Sequence, residues 1–154
     1  MLYLDSSALI KHYVQEAGSE RIEQKLRDEE KAARPVFTSV LTFAEIQAAL
    51  SRRAKDNSLA PREYARSRTK FESDWMLGLS PIDLGPGVLA IVRGVVDQFV
   101  LKGADVVQLA TAIWLRDMAS LNAKVAVSFL SSDKKLAKAA GKSGFEVFNP
   151  EAGN

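Results

Sequence analysis

Short apolar runs alternate with longer segments of helical periodicity along the chain. The short runs end at polar or turn residues, as buried strands do, and they lie at residues 1–4, 36–39, 79–84, 124–130 and 145–148. Apolar positions recur at helical spacing between them, with two helices in each of the first three intervals and one helix before the last strand. Strands that alternate with helices predict a parallel sheet covered by helices on both faces.

This pattern predicts one α/β domain. We expect residues 1–150 to form a three-layer fold, in which a central parallel sheet of about five strands is flanked by helices, with a C-terminal tail at 151–154. A chain of 154 residues can bury one core, and no repeat, low-complexity segment or linker divides it. The most apolar helix, at 88–101, has apolar side chains on more than one face, which is typical of a core helix and also of a subunit interface.

Composition narrows the chemistry that this fold can carry. Lys and Arg number 21 against 19 Asp and Glu, so the formal net charge of +2 argues against a polybasic binder and requires any nucleic-acid contact to be local. The absence of Cys and the single His exclude disulfides, thiolate zinc sites and a Cys nucleophile. No secretory signal or membrane span is apparent, because the N-terminal run lacks a basic leader and the longest apolar stretch contains polar residues. We therefore expect a cytoplasmic protein with no membrane association.

Four acidic residues lie in apolar surroundings where solvent does not explain them. Asp5 and Asp133 follow apolar strands, whereas Glu45 and Asp105 lie near the beginning of apolar helices. The carboxyl ends of parallel strands and the N-termini of the following helices meet at one edge of an open sheet, so the four carboxylates can converge there. An ionised carboxylate in such surroundings is costly unless a cation or hydrogen-bond donors compensate it.

Carboxylate oxygens without Cys or paired His ligands suit a hard cation, Mg²⁺ or Mn²⁺, rather than zinc. One or two such ions can activate a water and stabilise charge on a leaving oxygen, which is the chemistry of phosphodiester hydrolysis. Ser7 and Ser131 lie beside two of the acids and are candidates to assist. Taken singly, Asp5, Asp105 and Asp133 are also typical helix caps or first-turn residues, and the sequence leaves that alternative open.

The acids belong to four longer motifs that occur in a fixed order. The motifs are Tyr-Leu-Asp-Ser-Ser-Ala-Leu-Ile-Lys at 3–11, Thr-Phe-Ala-Glu-Ile-Gln-Ala-Ala-Leu at 42–50, Asp-Val-Val-Gln-Leu-Ala-Thr-Ala at 105–112 and Phe-Leu-Ser-Ser-Asp-Lys-Lys-Leu at 129–136. Together they resemble the motifs of PIN-domain ribonucleases, specifically the VapC-type toxins of type II toxin-antitoxin pairs. The resemblance covers nearly the whole chain, from Met1 to Pro150.

This resemblance implies a single PIN-like domain at residues 1–150 whose acids are both catalytic and metal-binding, namely Asp5, Glu45, Asp105 and Asp133. Ser7 and Ser131 would assist at the site. The resemblance also implies Mg²⁺-dependent RNA cleavage that inhibits translation, a homodimer, and a cognate VapB-type antitoxin that blocks the site.

Basic residues near these motifs are candidates for RNA contacts. One helix carries a stripe with a spacing of four residues, formed by Arg62, Arg66 and Lys70. A cluster precedes the stripe and consists of Arg52, Arg53 and Lys55, while Lys11 and Lys134 lie close in sequence to the acids. Such cations can guide an RNA backbone toward the carboxylates. The stripe is equally typical of a solvent-exposed helix face, and the two lysines are equally typical of charges that balance nearby acids.

Two other functions compete with RNA cleavage. A haloacid-dehalogenase-like phosphatase has a second Asp two positions after its nucleophile, where this chain has Ser7, which counts against that class. A PIN-like fold kept only for binding, as a scaffold or regulatory subunit, stays open, because intact ligands do not prove turnover.

Overall fold

The computed structural model describes residues 1–122 and 126–152, and this part of the chain contains the strands and helices in the predicted order. The strands are β1 (Leu2–Leu4), β2 (Val36–Ser39), β3 (Leu79–Ile82), β4 (Ser128–Leu130) and β5 (Glu146–Phe148). The helices are α1 (Ser6–Leu9), α2 (Ser19–Lys31), α3 (Leu41–Lys55), α4 (Pro61–Leu77), α5 (Pro86–Gln98), α6 (Gly103–Asn122) and α7 (Lys134–Lys142). Part of the predicted fourth strand and part of the predicted tail, at 124–125 and 153–154, lie outside the described residues.

The five strands form one parallel sheet in the order β3-β2-β1-β4-β5. The chain builds one half of the sheet outward from β1 and then crosses to the other side of β1 to build the rest. The order therefore reverses between β1 and β4, which is where ligands bind in open α/β sheets. Leu4 and Leu130 are paired at this point, so the residues that follow the two strands are neighbours.

Two hydrophobic cores lie on opposite faces of the sheet. Side chains that alternate along the strands point to opposite faces, so Tyr3 enters one core whereas Leu2 and Leu4 enter the other. Helices α5, α6 and α7 cover the first face, and α1 to α4 cover the second. The prediction of a central parallel sheet of about five strands between two helical layers is confirmed.

Helix α5 packs closely on α6 while leaving one face exposed. Val88 and Val95 are buried, whereas Leu89 and Val96 are more than half exposed. The close approach requires a glycine, because a Cβ atom on Gly87 would lie 2.5 Å from Nε1 of Trp114. The strongly apolar helix thus supplies part of the core and also a free apolar surface. No helix in the described ranges is both long enough and apolar enough to cross a membrane.

Candidate active site

Asp5 follows β1 directly, at the carboxyl edge of the sheet. Its Oδ1 accepts a hydrogen bond of 2.9 Å from the backbone N–H of Ala8, so the side chain caps α1. The hydroxyl groups of Ser7 and Ser131 also donate to the carboxylate, at 2.9 and 2.8 Å. Only 2% of Asp5 is exposed. The carboxylate is therefore held by donors from both strand ends, and the capping expectation is confirmed for this residue.

Burial sets the electrostatics of Asp5. It raises the pKa of the carboxyl from 3.8 to about 7, although the three hydrogen bonds oppose the shift, and the negative charge of Glu45 raises the pKa further. Among the residues that the structure describes, none of the four predicted acids forms an ion pair with a Lys, Arg or His. The buried carboxylate thus faces a second acid rather than a cation.

Glu45 lies in the second turn of α3 and is half-buried. Its Oε2 accepts a hydrogen bond of 2.7 Å from Nε2 of Gln108, which is buried on α6. The same amide donates to the hydroxyl of Thr42 at 2.9 Å, and its oxygen accepts from the hydroxyl of Tyr3 at 2.7 Å. Gln108 therefore fixes the position of the Glu45 carboxylate relative to the central strand.

The sequence pattern does not assign a role to Gln108. One feature of the sequence could have pointed to Gln108, because it is a polar residue inside an apolar stretch of helix, one turn after Asp105. Its contacts with Glu45 and Tyr3 come from segments far away in the chain, so periodicity alone could not identify them.

Asp105 and Asp133 form the second part of the site. Asp105 lies in the first turn of α6, and Asp133 caps α7 by accepting hydrogen bonds from the backbone N–H groups of Lys135 and Leu136 at 2.7 and 2.9 Å. Burial raises the pKa of the Asp105 carboxyl, and the negative charge of Asp133 raises it further. The two carboxylates are therefore close enough to repel each other.

Serine hydroxyls connect the two parts of the site. Ser7 Oγ accepts hydrogen bonds from the backbone N–H groups of Ser132 (2.9 Å) and Asp133 (3.2 Å) while it donates to Asp5. Ser131 Oγ accepts from the N–H of Asp133 at 3.1 Å. These bonds hold the turn after β4 against the beginning of α1. The structure thus gathers the predicted acids at one edge of the sheet, as one pair around Asp5 and a second pair around Asp133.

This donor set fits a hard divalent cation. All four acids offer carboxylate oxygens, and each pair carries negative charge that no described basic side chain pairs with. Within residues 1–122 and 126–152, however, no three acidic or His side chains are already drawn into one ligand cluster.

The predicted RNA-contacting residues fall in different places. Lys11 is 3% exposed and its ammonium is paired with Glu16 and Glu151, so its charge is neutralised within the chain. Lys70 is paired with Asp74 and borders a hollow beside the beginnings of β2 and β3, at the opposite edge of the sheet from the acids.

The other three predicted contacts are exposed. Arg62 and Arg66 lie on the surface of α4, and Lys134 begins α7 next to Asp133. Only Lys134 is thereby adjacent to an acid of the site. Lys70, at the end of the stripe, is not brought together with the carboxylates. The role of the stripe at 62, 66 and 70 in RNA binding stays a prediction.

The chain is similar to known proteins in both sequence and fold. The profile of the PIN domain family matches residues 2–142. The chain is 31% identical over 117 residues to "Ribonuclease VapC45" of Mycobacterium tuberculosis, which covers 76% of this chain and 78% of that protein. Similar folds occur in the crystal structures of VapBC2 from Rickettsia felis (TM-score 0.68, 13% identity, 97% and 98% covered) and FitAcB from Neisseria gonorrhoeae (TM-score 0.66, 16% identity, 97% and 98% covered). With its parallel sheet, its acids at the carboxyl edge and a match over nearly its whole length, the chain belongs to the PIN domain family.

Proposed function

We propose that this chain is a Mg²⁺- or Mn²⁺-dependent endoribonuclease that hydrolyses RNA phosphodiester bonds, and that it is the toxin of a toxin-antitoxin pair that inhibits translation. The observation that carries the proposal is the set of four carboxylates at one sheet edge, none paired with a described basic side chain. The relative at 31% identity is named a ribonuclease, which supports RNA as the substrate. Membership of the PIN family sets aside the phosphatase alternative.

The four acids Asp5, Glu45, Asp105 and Asp133 would hold one or two ions. A divalent cation at such carboxylates supplies an activated water and neutralises charge on the leaving oxygen. The protein contributes positioning. Asp5 is fixed by three donors, and Glu45 is fixed by the buried amide of Gln108.

The serines of the site hold its two parts in register. Ser7 and Ser131 each donate a hydrogen bond to Asp5, and both accept from backbone N–H groups of the turn after β4. Their hydroxyl hydrogens are committed to the carboxylate, so we assign them to orientation of Asp5 rather than to proton transfer. Lys134, exposed beside Asp133, is the predicted cation best placed to meet RNA at the acids.

RNA cleavage by purified protein tests the enzymatic proposal. We expect single-stranded RNA to be cut in Mg²⁺ or Mn²⁺, to stay intact in chelator, and to be cut again when the metal is restored. Asp105→Asn should abolish cleavage, whereas Asp97→Asn, which changes an exposed acid on α5, should cut at the wild-type rate. Both variants are purified by the same procedure, so a contaminating nuclease would cut RNA in both preparations.

Two outcomes of this assay would contradict the proposal. If wild-type protein binds RNA without cutting it under any metal condition, the chain is a binding or regulatory subunit. If Asp105→Asn cuts at the wild-type rate, the acids are not the active site.

We also propose a cognate VapB-type antitoxin, a homodimer and action in the cytoplasm. The similarity of fold to VapBC2 and FitAcB supports the partner. Large apolar side chains stay exposed on α5 and α6 and support a dimer surface, namely Leu89, Val96, Met118 and Leu121. Expression alone should arrest growth and co-expression of the adjacent small reading frame should relieve it, while light scattering should give twice the monomer mass. Growth without arrest would contradict the toxin role.

A further inference from the structure

A groove runs from the acidic site along α3. A hollow of about 300 Å³ is lined by Glu45 at one end and by Arg52 and Arg53 at the other. Ala48 and Ala49 line it between these ends, and their methyl groups leave the space open. The groove therefore joins a carboxylate of the proposed active site to a pair of guanidinium groups.

The helix itself aligns the two ends of the groove. Glu45 and Arg52 are seven residues apart, which is two turns of α3, so both lie on the same face of the helix. At a rise of 1.5 Å per residue their backbones are separated by about 10.5 Å along the helix axis. A second hollow of about 500 Å³ continues past Arg52 to Lys55 and also includes Asp56 in its lining. The cations thus extend the groove away from the acids along one line.

Arg52 is the cation in this groove that no described carboxylate pairs with, and its nearest acid along the second hollow is Asp56, whose carboxylate accepts hydrogen bonds from Ser58. Arg52 is exposed, and no carboxylate lies within ion-pair distance of it in the part of the chain that the structure describes. Arg53 is instead paired with Glu16, which also holds the buried Lys11. Lys55 is exposed one turn beyond Arg52 and is equally unpaired among the described residues.

We propose that Arg52, supported by Lys55, binds a backbone phosphate of the RNA strand at a position removed from the bond that is cut. A guanidinium group matches phosphate with two parallel hydrogen bonds, and this one lies two helical turns from a proposed metal ligand. The contact orients the strand along α3 and contributes binding that is the same before and during the reaction. This inference rests on the proposed ribonuclease function and adds the path that the substrate takes to the site.

RNA binding tests the inference separately from cleavage. Each variant is made in an Asp105→Asn background, and binding of a fluorescein-labelled single-stranded RNA is followed by anisotropy in Mg²⁺ over a range of salt concentrations. Arg52→Gln should weaken binding about tenfold, as loss of a charged hydrogen bond does. It should also make the slope of log K against log salt shallower by about 0.7, the value for one phosphate contact on a single strand. Lys55→Gln should act in the same direction.

The matched control is Arg93→Gln, which changes an exposed arginine on α5, away from the groove, that has no ion pair with any described residue. It should leave both the affinity and the slope unchanged. All variants should unfold at the wild-type temperature, since the replaced side chains are exposed. Equal affinity and slope for Arg52→Gln and Arg93→Gln would overturn the inference.

Kinetics and a competing ligand complete the test. In the otherwise wild-type enzyme, Arg52→Gln should raise KM about tenfold and leave kcat unchanged, because uniform binding is lost. If the wild-type protein cleaves RNA but Arg52→Gln has the wild-type KM, the proposed RNA contact of Arg52 is wrong. The proposed ribonuclease function is not affected by that result. If Arg52→Gln keeps its RNA affinity but loses binding of a labelled oligoglutamate peptide, the groove receives an acidic protein segment, and the inference also fails.

Discussion

Replacement of Asp5 by Asn should stabilise the metal-free protein at neutral and alkaline pH. The wild-type carboxyl is buried without a cation partner among the described residues, and its pKa rises from 3.8 to about 7 on folding. The folded state therefore holds a proton that the unfolded state has released between these two values. Because stability falls with rising pH where the folded state binds more protons, the Asp5 carboxyl lowers the free energy of unfolding progressively from about pH 4 to about pH 7, and its contribution is constant above pH 7.

The size of this loss of stability follows from the shift in the pKa of Asp5. A shift of about three units at 1.36 kcal/mol each corresponds to about 4 kcal/mol once the carboxyl is fully ionised. Between pH 5 and pH 8 the change is about 3 kcal/mol, since part of the loss already occurs below pH 5. Asn has the same shape, and its oxygen can still accept from the N–H of Ala8 while its amide donates to a serine hydroxyl. Asp5→Asn should therefore lack this pH dependence.

Urea unfolding in chelator at several pH values measures the effect. Fluorescence of Trp75 and Trp114 reports the transition, and Asp97→Asn, an exposed acid, is the control that should follow the wild-type curve. The difference in unfolding free energy between Asp5→Asn and wild type should grow by about 3 kcal/mol from pH 5 to pH 8. Addition of Mg²⁺ at pH 8 should stabilise wild type and not the variant. A difference that stays constant with pH would refute the reasoning about the buried carboxylate.

Substitutions at three further positions test individual contacts of the structure. Asp133→Ala should cost about 1 kcal/mol of stability through loss of the α7 cap, whereas Asp133→Asn should cost much less, and both should lose RNA cleavage if the charge holds a metal. Equal stability of the two would contradict the capping role. Gln108→Leu should cost about 1–3 kcal/mol in urea unfolding, because it leaves the buried hydroxyls of Tyr3 and Thr42 without this partner, and it should also lower kcat by releasing Glu45. An unchanged kcat would show that Gln108 is only structural. Gly87→Ala should cost about 1–3 kcal/mol in thermal unfolding, since its Cβ would meet Trp114, and a stability equal to wild type would contradict the tight α5–α6 contact.

The sequence predicts the architecture correctly, and it predicts that the four candidate acids lie at one edge of the sheet, because both follow from local pattern. Asp5 and Asp133 are recognisable because each follows a buried apolar strand, and the parallel sheet places those strand ends side by side. The sequence pattern predicts a first helix that continues to about Val14, but α1 ends at Leu9 and is followed only by a 3-10 turn at Ile10–His12.

Contacts between distant segments are what the pattern cannot supply. Lys11 has the sequence signature of a cation near the site, but Glu151 from the C-terminal end of the chain pairs with its ammonium. Gln108 becomes part of the site only because α6 packs near α3. The regular spacing of the stripe that ends at Lys70 likewise gives no information about which edge of the sheet it lies on.

The central claim is tested most directly by the rate of RNA cleavage as a function of Mn²⁺ concentration. The rate is compared between wild type and four single variants, in which Asn replaces Asp5, Asp105 or Asp133, or Gln replaces Glu45. The account predicts saturable metal dependence for wild type and for Asp97→Asn, and no cleavage for the four variants at any metal concentration that saturates wild type. Cleavage by wild type in chelator, or a wild-type rate in any of the four variants, would contradict it.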